Sequence, residues 1–169
     1  MAEHKHSGTE DSRHGSDETA MKSMSSNRLL LMAGIHFVLM YGLMYAMVNT
    51  FNNVFPNLNQ FYMAGIMTAP MLIMEAVLMG SMYENKRLIR IIMGISIIVL
   101  IVFFIFIRQQ TGITDGEFLR SMIPHHAGAI LMCEQAPIQD SEIKALCETI
   151  ITSQQSEINQ MKAILDRLE

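Results

Sequence analysis

Two adjacent histidines stand among methionines in residues 118–133, the part of the chain whose residue types are best suited to chemistry. At about 100° per residue, Met122, His125, His126 and Met132 fall within about a third of a helix circumference. Thioether sulfur selects soft ions such as Cu(I), whereas imidazole also suits Cu(II) and zinc. A di-iron bundle would carry Glu three residues before a histidine, where this chain has Met122. The pattern therefore predicts a copper site, with Cu(I) favoured and Ag(I) or Cu(II) as alternatives.

The same residues also have a purely structural interpretation. A histidine on an apolar helix face is commonly a satisfied core residue, and methionine is a flexible core filler. Pro124 favours the metal site, because a proline inside a helix kinks it directly beside the two histidines.

A second amphipathic segment follows, with an apolar stripe at spacings of three and four residues from Ile143 to Leu168. Met161 lies near this stripe and is predicted to add a thioether to the site. Glu157 is predicted to orient a histidine by contacting its side chain rather than the metal, and Gln154 is a further candidate for such a supporting contact.

The two cysteines, Cys133 and Cys147, fall on the predicted buried stripes on either side of a turn. In an oxidising compartment they would form a disulfide. Two alternatives remain open: a pair of thiolates added to the metal site, or two small buried apolar side chains.

The elements that position these residues are two helices and a turn. Thr114 and Glu117 fit a capping box, which predicts a helix from Asp115 to about Gln135. Asp140 is a good N-cap for a second helix that runs to the C-terminus. Because two helices bury little on their own, we expect a second copy to complete a four-helix bundle, which predicts a homodimer.

The rest of the chain has the composition of a membrane protein. Half of the 169 residues are hydrophobic and only 17% are charged, against about 25% in soluble domains. Three apolar runs are long enough to cross a bilayer as helices: Leu29 to Val48, Phe61 to Met82 and Leu88 to Ile107. The predicted organisation is a disordered polar tail (1–27), a three-helix membrane region (28–108) and a hairpin domain (111–169).

Loop charges predict the orientation. Cations cluster before the first run and between the second and third runs, whereas residues 49–60 carry no charge. The positive-inside rule then places the N-terminus in the cytoplasm and the hairpin outside, in the periplasm if this is a bacterial inner membrane. The net charge of −4 argues against nucleic acid as a partner.

Weaker candidates lie outside the hairpin. Methionines recur at helical spacing in the first two apolar runs, beside His36 and Glu75, and packing is the favoured interpretation, with a metal path as the alternative. The stripes comprise Met40, Met44 and Met47 in the first run and Met63, Met67, Met71 and Met74 in the second, and the candidates on them are His36, Met40, Met47, Met71 and Glu75. In the tail, His4 would form a square-planar Cu(II) or Ni(II) site with a free amine if Met1 is removed; the alternative is a solvated tail.

Residues 111–165 resemble the family catalogued as domain of unknown function 305. The resemblance rests on the Met122-Ile-Pro-His-His126 core and on Gln154, Glu157-Ile158 and Met161. The front of the chain, with Met-Tyr pairs such as Met40-Tyr41, looks like a membrane-anchored subgroup. The resemblance implies a ferritin-like helical bundle and copper binding or heavy-metal tolerance through His and Met, carried here by Met122, His125, His126, Met132 and Met161. Many members have Ala in place of Cys133 and Cys147.

Together these features predict a membrane-anchored, non-enzymatic binding protein for copper or silver that serves metal tolerance, sequestration or hand-off. Expected partners are the bilayer, a second copy and a metal transporter or metallochaperone. The alternative is a structural or interaction module that partners a transporter, with the histidine pair packed in a dimer core. An oxidoreductase is disfavoured because the chain has no Cys-x-x-Cys.

Overall fold

The computed structural model describes residues 26–83 and 85–168, and the elements in this part of the chain are helical. The five α-helices are α1 (Ser26–Leu43), α2 (Leu58–Met79), α3 (Lys86–Gln109), α4 (Asp115–Gln135) and α5 (Ser141–Leu168). Short 3₁₀ turns occupy Met44–Met47, Phe51–Asn53 and Gly80–Met82. The predicted all-α class is confirmed, whereas the predicted tail, with His4, lies outside the described residues.

Three stretches are long and apolar enough to cross a membrane: Arg28–Met47, Leu58–Met82 and Lys86–Gln109. With 20, 25 and 24 residues, they span about 30–38 Å at 1.5 Å per residue. The second helix begins at Leu58 rather than at the predicted Phe61. Asn57 explains this start, because its Oδ1 accepts a hydrogen bond from the backbone N–H of Gln60 at 3.0 Å and so caps the helix.

The three apolar helices α1, α2 and α3, called the membrane helices below, pack closely together, with α2 in contact with both of the others. Gly65 of α2 faces the ring of Phe103 on α3 so tightly that a Cβ atom there would overlap the ring. At the end remote from the hairpin, Leu29 of α1, Ala76 of α2 and Ile89 of α3 form a buried cluster with Tyr83. These contacts make the three helices one packed unit.

The hairpin of α4 and α5 begins at the predicted caps. Thr114 Oγ1 accepts from the N–H of Glu117 at 3.4 Å, and Asp140 Oδ1 accepts from the N–H groups of Glu142 and Ile143 at 2.9 and 3.0 Å. Between the two helices lies an apolar core, whose buried members are Leu119, Ile123, Ala127, Ile130, Ile158 and Leu165.

The hairpin rests on the membrane helices of its own chain. Val48 and Phe55, from the connection between α1 and α2, pack against the hairpin core. The link from α3 is a tight turn, in which Gln110 and Gly112 have φ angles of 52° and 75°, and the Tyr62 hydroxyl donates to the Thr111 carbonyl at 3.1 Å. Residues of the same chain thus cover part of the surface that the sequence assigned to a second copy; the homodimer stays a prediction.

Candidate metal centre

The start of α4 is fastened to the start of α2 by hydrogen bonds. The backbone N–H of Leu58, in the first turn of α2, donates to Glu117 Oε2 at 2.8 Å. Asn59 Nδ2 donates to Ser121 Oγ at 3.3 Å. A carboxylate at a helix N-terminus satisfies a backbone donor and interacts favourably with the helix dipole. The membrane helix and the hairpin therefore meet in a defined register.

Pro124 contributes to this junction. A proline has no N–H to donate to the carbonyl four residues earlier, which here belongs to Arg120. Asn57 Nδ2 donates to that carbonyl at 3.4 Å, and Asn57 itself is only 5% exposed. Pro124 thus leaves the Arg120 carbonyl without its usual helical donor, and Asn57, just before α2, donates a hydrogen bond to it instead.

An open cleft of about 470 Å³ lies at this junction. Gly128 of α4 approaches the turn after α1 closely, since a Cβ atom on it would lie 3.5 Å from the backbone oxygen of Met47. The lining side chains that could donate to a soft ion are five thioethers and one imidazole: Met44, Met47, Met63, Met122, His125 and Met132.

The predicted ligands Met122, His125 and Met132 share this cleft, and all three belong to α4. Met44 and Met63 belonged to the methionine stripes of the membrane runs, but nothing in the sequence connected them to the hairpin. Gln60 also lines the cleft, and its Oε1 is a buried acceptor without a hydrogen-bond partner in the described part of the chain.

His126 faces away from the cleft, towards α5. Its Nε2 lies 2.8 Å from Glu157 Oε2 and its Nδ1 lies 2.9 Å from the carbonyl oxygen of Met122. Each ring nitrogen thus lies within hydrogen-bond distance of an oxygen atom, so neither is open to a metal ion in this arrangement. The structure thus separates the two neighbouring histidines: His125 is exposed at the cleft, and His126 is buried in the hairpin.

The predicted supporting residues on α5 lie in or beside the hairpin core. Glu157 holds His126, as described above. Met161 packs against the core cluster and does not line the cleft. Gln154 Oε1 is buried and has no hydrogen-bond partner among residues 26–83 and 85–168. The structure therefore does not bring Met161 together with Met122, His125 and Met132.

Cys133 and Cys147 form a disulfide across the turn between α4 and α5, with their Cα atoms 5.2 Å apart, a usual separation for such a bond. They line a different, smaller cavity from the one beside His125. In this arrangement neither sulfur is a thiolate that could add to the methionine cleft.

The membrane candidates are not gathered with the cleft, apart from Met47. His36, Met40 and Met71 do not line it. Glu75 lies near the remote end of α2, where it accepts a hydrogen bond from the Tyr83 hydroxyl at 2.8 Å. Burial, followed by this hydrogen bond and the charge of the carboxylate, raises the pKa of Tyr83 to about 12.

The described residues contain no group of three or more His, Cys, Asp or Glu side chains placed to hold a metal ion. A zinc site of the usual His and Cys ligands, or a carboxylate-rich iron site, therefore has no support in residues 26–83 and 85–168. The candidate donors that line the cleft are thioethers with a single imidazole, side-chain types suited to Cu(I) or Ag(I).

Comparison with known proteins places the hairpin in a family. The family model described as "Domain of unknown function (DUF305)" matches residues 107–166. An uncharacterized protein of Acanthamoeba polyphaga mimivirus is 38% identical over 146 residues, which cover 85% of this chain and 94% of that relative. No solved structure matches the chain. The similarity to the viral relative extends well beyond the hairpin, and the chain belongs to the domain of unknown function 305 family.

Proposed function

We propose that this chain is a membrane-anchored binding protein for soft metal ions, Cu(I) above all, with Ag(I) or Cu(II) as alternatives. The observation that carries the proposal is the cleft beside His125, which is lined by five methionine side chains and one imidazole. Its role would be sequestration or hand-off in metal tolerance, without chemical turnover. The partners would be a second copy and a metal transporter or metallochaperone.

The donor chemistry of the cleft fits a soft monovalent cation. Thioether sulfur is a soft, neutral donor, and methionine has enough rotatable bonds to adjust to an ion. His125 is exposed to the cleft, and its ring nitrogens form no hydrogen bond within residues 26–83 and 85–168. Gln60 also lines the cleft.

The proposed placement follows from the charges. Cations at the start of α1 and between α2 and α3 favour the cytoplasmic side, and the hairpin lies at the opposite end of the helices. In a bacterial cell this would be the periplasmic side of the inner membrane, where disulfides persist. The Cys133–Cys147 bond is consistent with that compartment.

The test is a titration of the full-length chain in detergent with Cu(I), in competition with a chromogenic chelator. A Met122→Leu, His125→Ala double variant should bind Cu(I) at least about tenfold more weakly, equivalent to about 1.4 kcal/mol. Two control variants remove donors of the same types outside the cleft: Met161→Leu for a thioether and His36→Ala for an imidazole. Unchanged affinity in the double variant, or equal losses in the controls, would contradict the proposal.

One observation favours a second candidate, a non-catalytic interaction module that partners a membrane transporter. His126 is engaged at both ring nitrogens and packs inside the hairpin, as a purely structural histidine would. This candidate predicts that the chain co-purifies with a transporter equally well when His125 is replaced by Ala. It also predicts no measurable Cu(I) affinity in the wild-type chain.

A further inference from the structure

The cleft beside His125 takes its sulfur donors from both halves of the molecule. Met122 and Met132 belong to α4, whereas Met44 and Met47 belong to the 3₁₀ turn after α1, and Met63 lies in the second turn of α2. Neither half alone presents the full set. The hairpin on its own keeps two thioethers and the imidazole.

The two halves are held together by contacts that carry no soft donor. The carboxylate of Glu117 accepts from the N–H of Leu58 at 2.8 Å. The amide of Asn57 donates to the Arg120 carbonyl at 3.4 Å. These bonds set the distance between α4 and the start of α2, and so the width of the cleft.

We propose that the soft-ion site is shared between the membrane helices and the hairpin, with Met44, Met47 and Met63 as thioether ligands. Ion binding and docking of the hairpin on the membrane helices would then stabilise each other. This inference rests on the proposed function and adds the ligands and the regulation of that site. Such linkage is reciprocal: an ion that bridges both halves favours the docked state, and loosening the dock weakens ion binding.

The choice of donor agrees with the place of the site. Met47 and Met63 lie at the end of predicted membrane spans, where a charged ligand would have to give up its hydration. A thioether is neutral and apolar, so it can sit at the bilayer boundary without an ion and still bind one. Gly128 lets α4 approach close enough to Met47 for ligands of both halves to meet.

The first experiment removes the membrane-side sulfurs from the full-length chain. A Met44→Leu, Met47→Leu, Met63→Leu variant nearly conserves volume, so the fold should persist, and circular dichroism checks this. The expected result is at least a tenfold loss of Cu(I) affinity in chelator competition. The matched control is Met67→Leu with Met74→Leu, which removes two exposed sulfurs of α2 that do not line the cleft, and it should bind as the wild type does.

The second experiment weakens the contact between the hairpin and the membrane helices and keeps all six donor side chains. Glu117→Ala removes the acceptor of the Leu58 N–H and should lower Cu(I) affinity a few-fold. In the wild-type chain, added Cu(I) should slow hydrogen exchange of the Leu58 amide, because the ion holds the docked state. Glu148→Ala, which changes an exposed carboxylate of α5 that does not line the cleft, should bind Cu(I) as the wild type does and show the same slowing of Leu58 exchange when Cu(I) is added.

The outcomes separate this inference from the proposed function. If the membrane-side triple variant binds as tightly as the wild type while Met122→Leu, His125→Ala does not, the site belongs to the hairpin alone and the shared site is overturned. If Cu(I) binds but leaves exchange of the Leu58 amide unchanged, the linkage to docking is overturned. If the wild-type chain shows no Cu(I) affinity, both proposals fall together.

Discussion

His126 on α4 and Glu157 on α5 form a polar contact between the two helices of the hairpin, with Nε2 and Oε2 2.8 Å apart. His126 is 8% exposed, so its ring fills space in the core as well as bonding to the carboxylate. The neighbouring His125 points into the cleft on the other side of the junction. His126 thus links the two helices of the hairpin, whereas His125 is accessible to a ligand in the cleft.

This contact predicts a loss of stability when His126 is removed. His126→Ala deletes a buried ring and two hydrogen bonds, and we expect a loss of about 1–3 kcal/mol in the free energy of unfolding. Glu157→Gln keeps an acceptor oxygen and should cost less. Thermal unfolding followed by circular dichroism measures both, with Glu148→Gln as a control on the exposed face of α5. A melting temperature of His126→Ala equal to that of the wild type would contradict a structural role.

The cysteine pair is predicted to stabilise the hairpin and to leave metal affinity unchanged. Cys133 and Cys147 are 14 residues apart in sequence, and closing a loop of that length stabilises a fold by about 3 kcal/mol. A Cys133→Ser, Cys147→Ser variant should therefore melt at a lower temperature while binding Cu(I) as before. A fall in Cu(I) affinity would instead support the thiolate alternative, in which the sulfurs are ligands.

A substitution of Asn57 can weaken the contact between the hairpin and the membrane helices without removing the N-cap of α2. Asn57→Asp keeps an oxygen that accepts from the Gln60 N–H, but it removes the amide that donates to the carbonyls of Phe55 and Arg120. Loss of two hydrogen bonds of about 1 kcal/mol each predicts up to roughly thirtyfold faster hydrogen exchange in the first turn of α2. Asn85→Asp makes the same change at the N-cap of α3 and should leave that exchange unaltered. Equal exchange in both variants would show that Asn57 acts only as a cap.

The raised pKa of Tyr83 predicts that the packed unit of α1, α2 and α3 becomes less stable at alkaline pH. An unfolded tyrosine loses its proton near pH 10, whereas the pKa of Tyr83 is raised to about 12 by burial and by Glu75. Between these values the folded chain binds more protons than the unfolded chain, so stability falls as the pH rises from about 10 to about 12. Melting temperatures of the detergent-solubilised chain across this range should fall less steeply in Tyr83→Phe. Parallel curves for the two proteins would contradict the assignment.

The elements could be predicted because their signals are local. Thr114 and Asp140 cap the helices that follow them, and the three apolar runs are continuous in sequence. Each signal lies within a few residues of the boundary it marks. The early start of α2 was missed because its cap, Asn57, precedes polar residues rather than the apolar run.

The site could be predicted only in part, because it depends on which neighbour covers each face of α4. His125 and His126 differ by about 100° around the helix. The sequence could not show that His126 contacts α5 while His125 faces the cleft at the end of the membrane helices. The contribution of Met44 and Met63 arises from contacts between segments far apart in sequence. Helical spacing identified these methionines as a stripe, but it carries no information about what the stripe faces.

The turn at residues 110–114 limits where the hairpin can act. Even fully extended, this stretch would reach no more than about 18 Å, and in the structure it is folded tightly, with positive φ angles at Gln110 and Gly112. The cleft therefore cannot travel to a distant acceptor on a long tether. With the three helices in a bilayer, the hand-off of an ion that we propose would take place close to the membrane surface. A partner would then meet the hairpin by lateral diffusion in two dimensions or by descending onto the membrane surface.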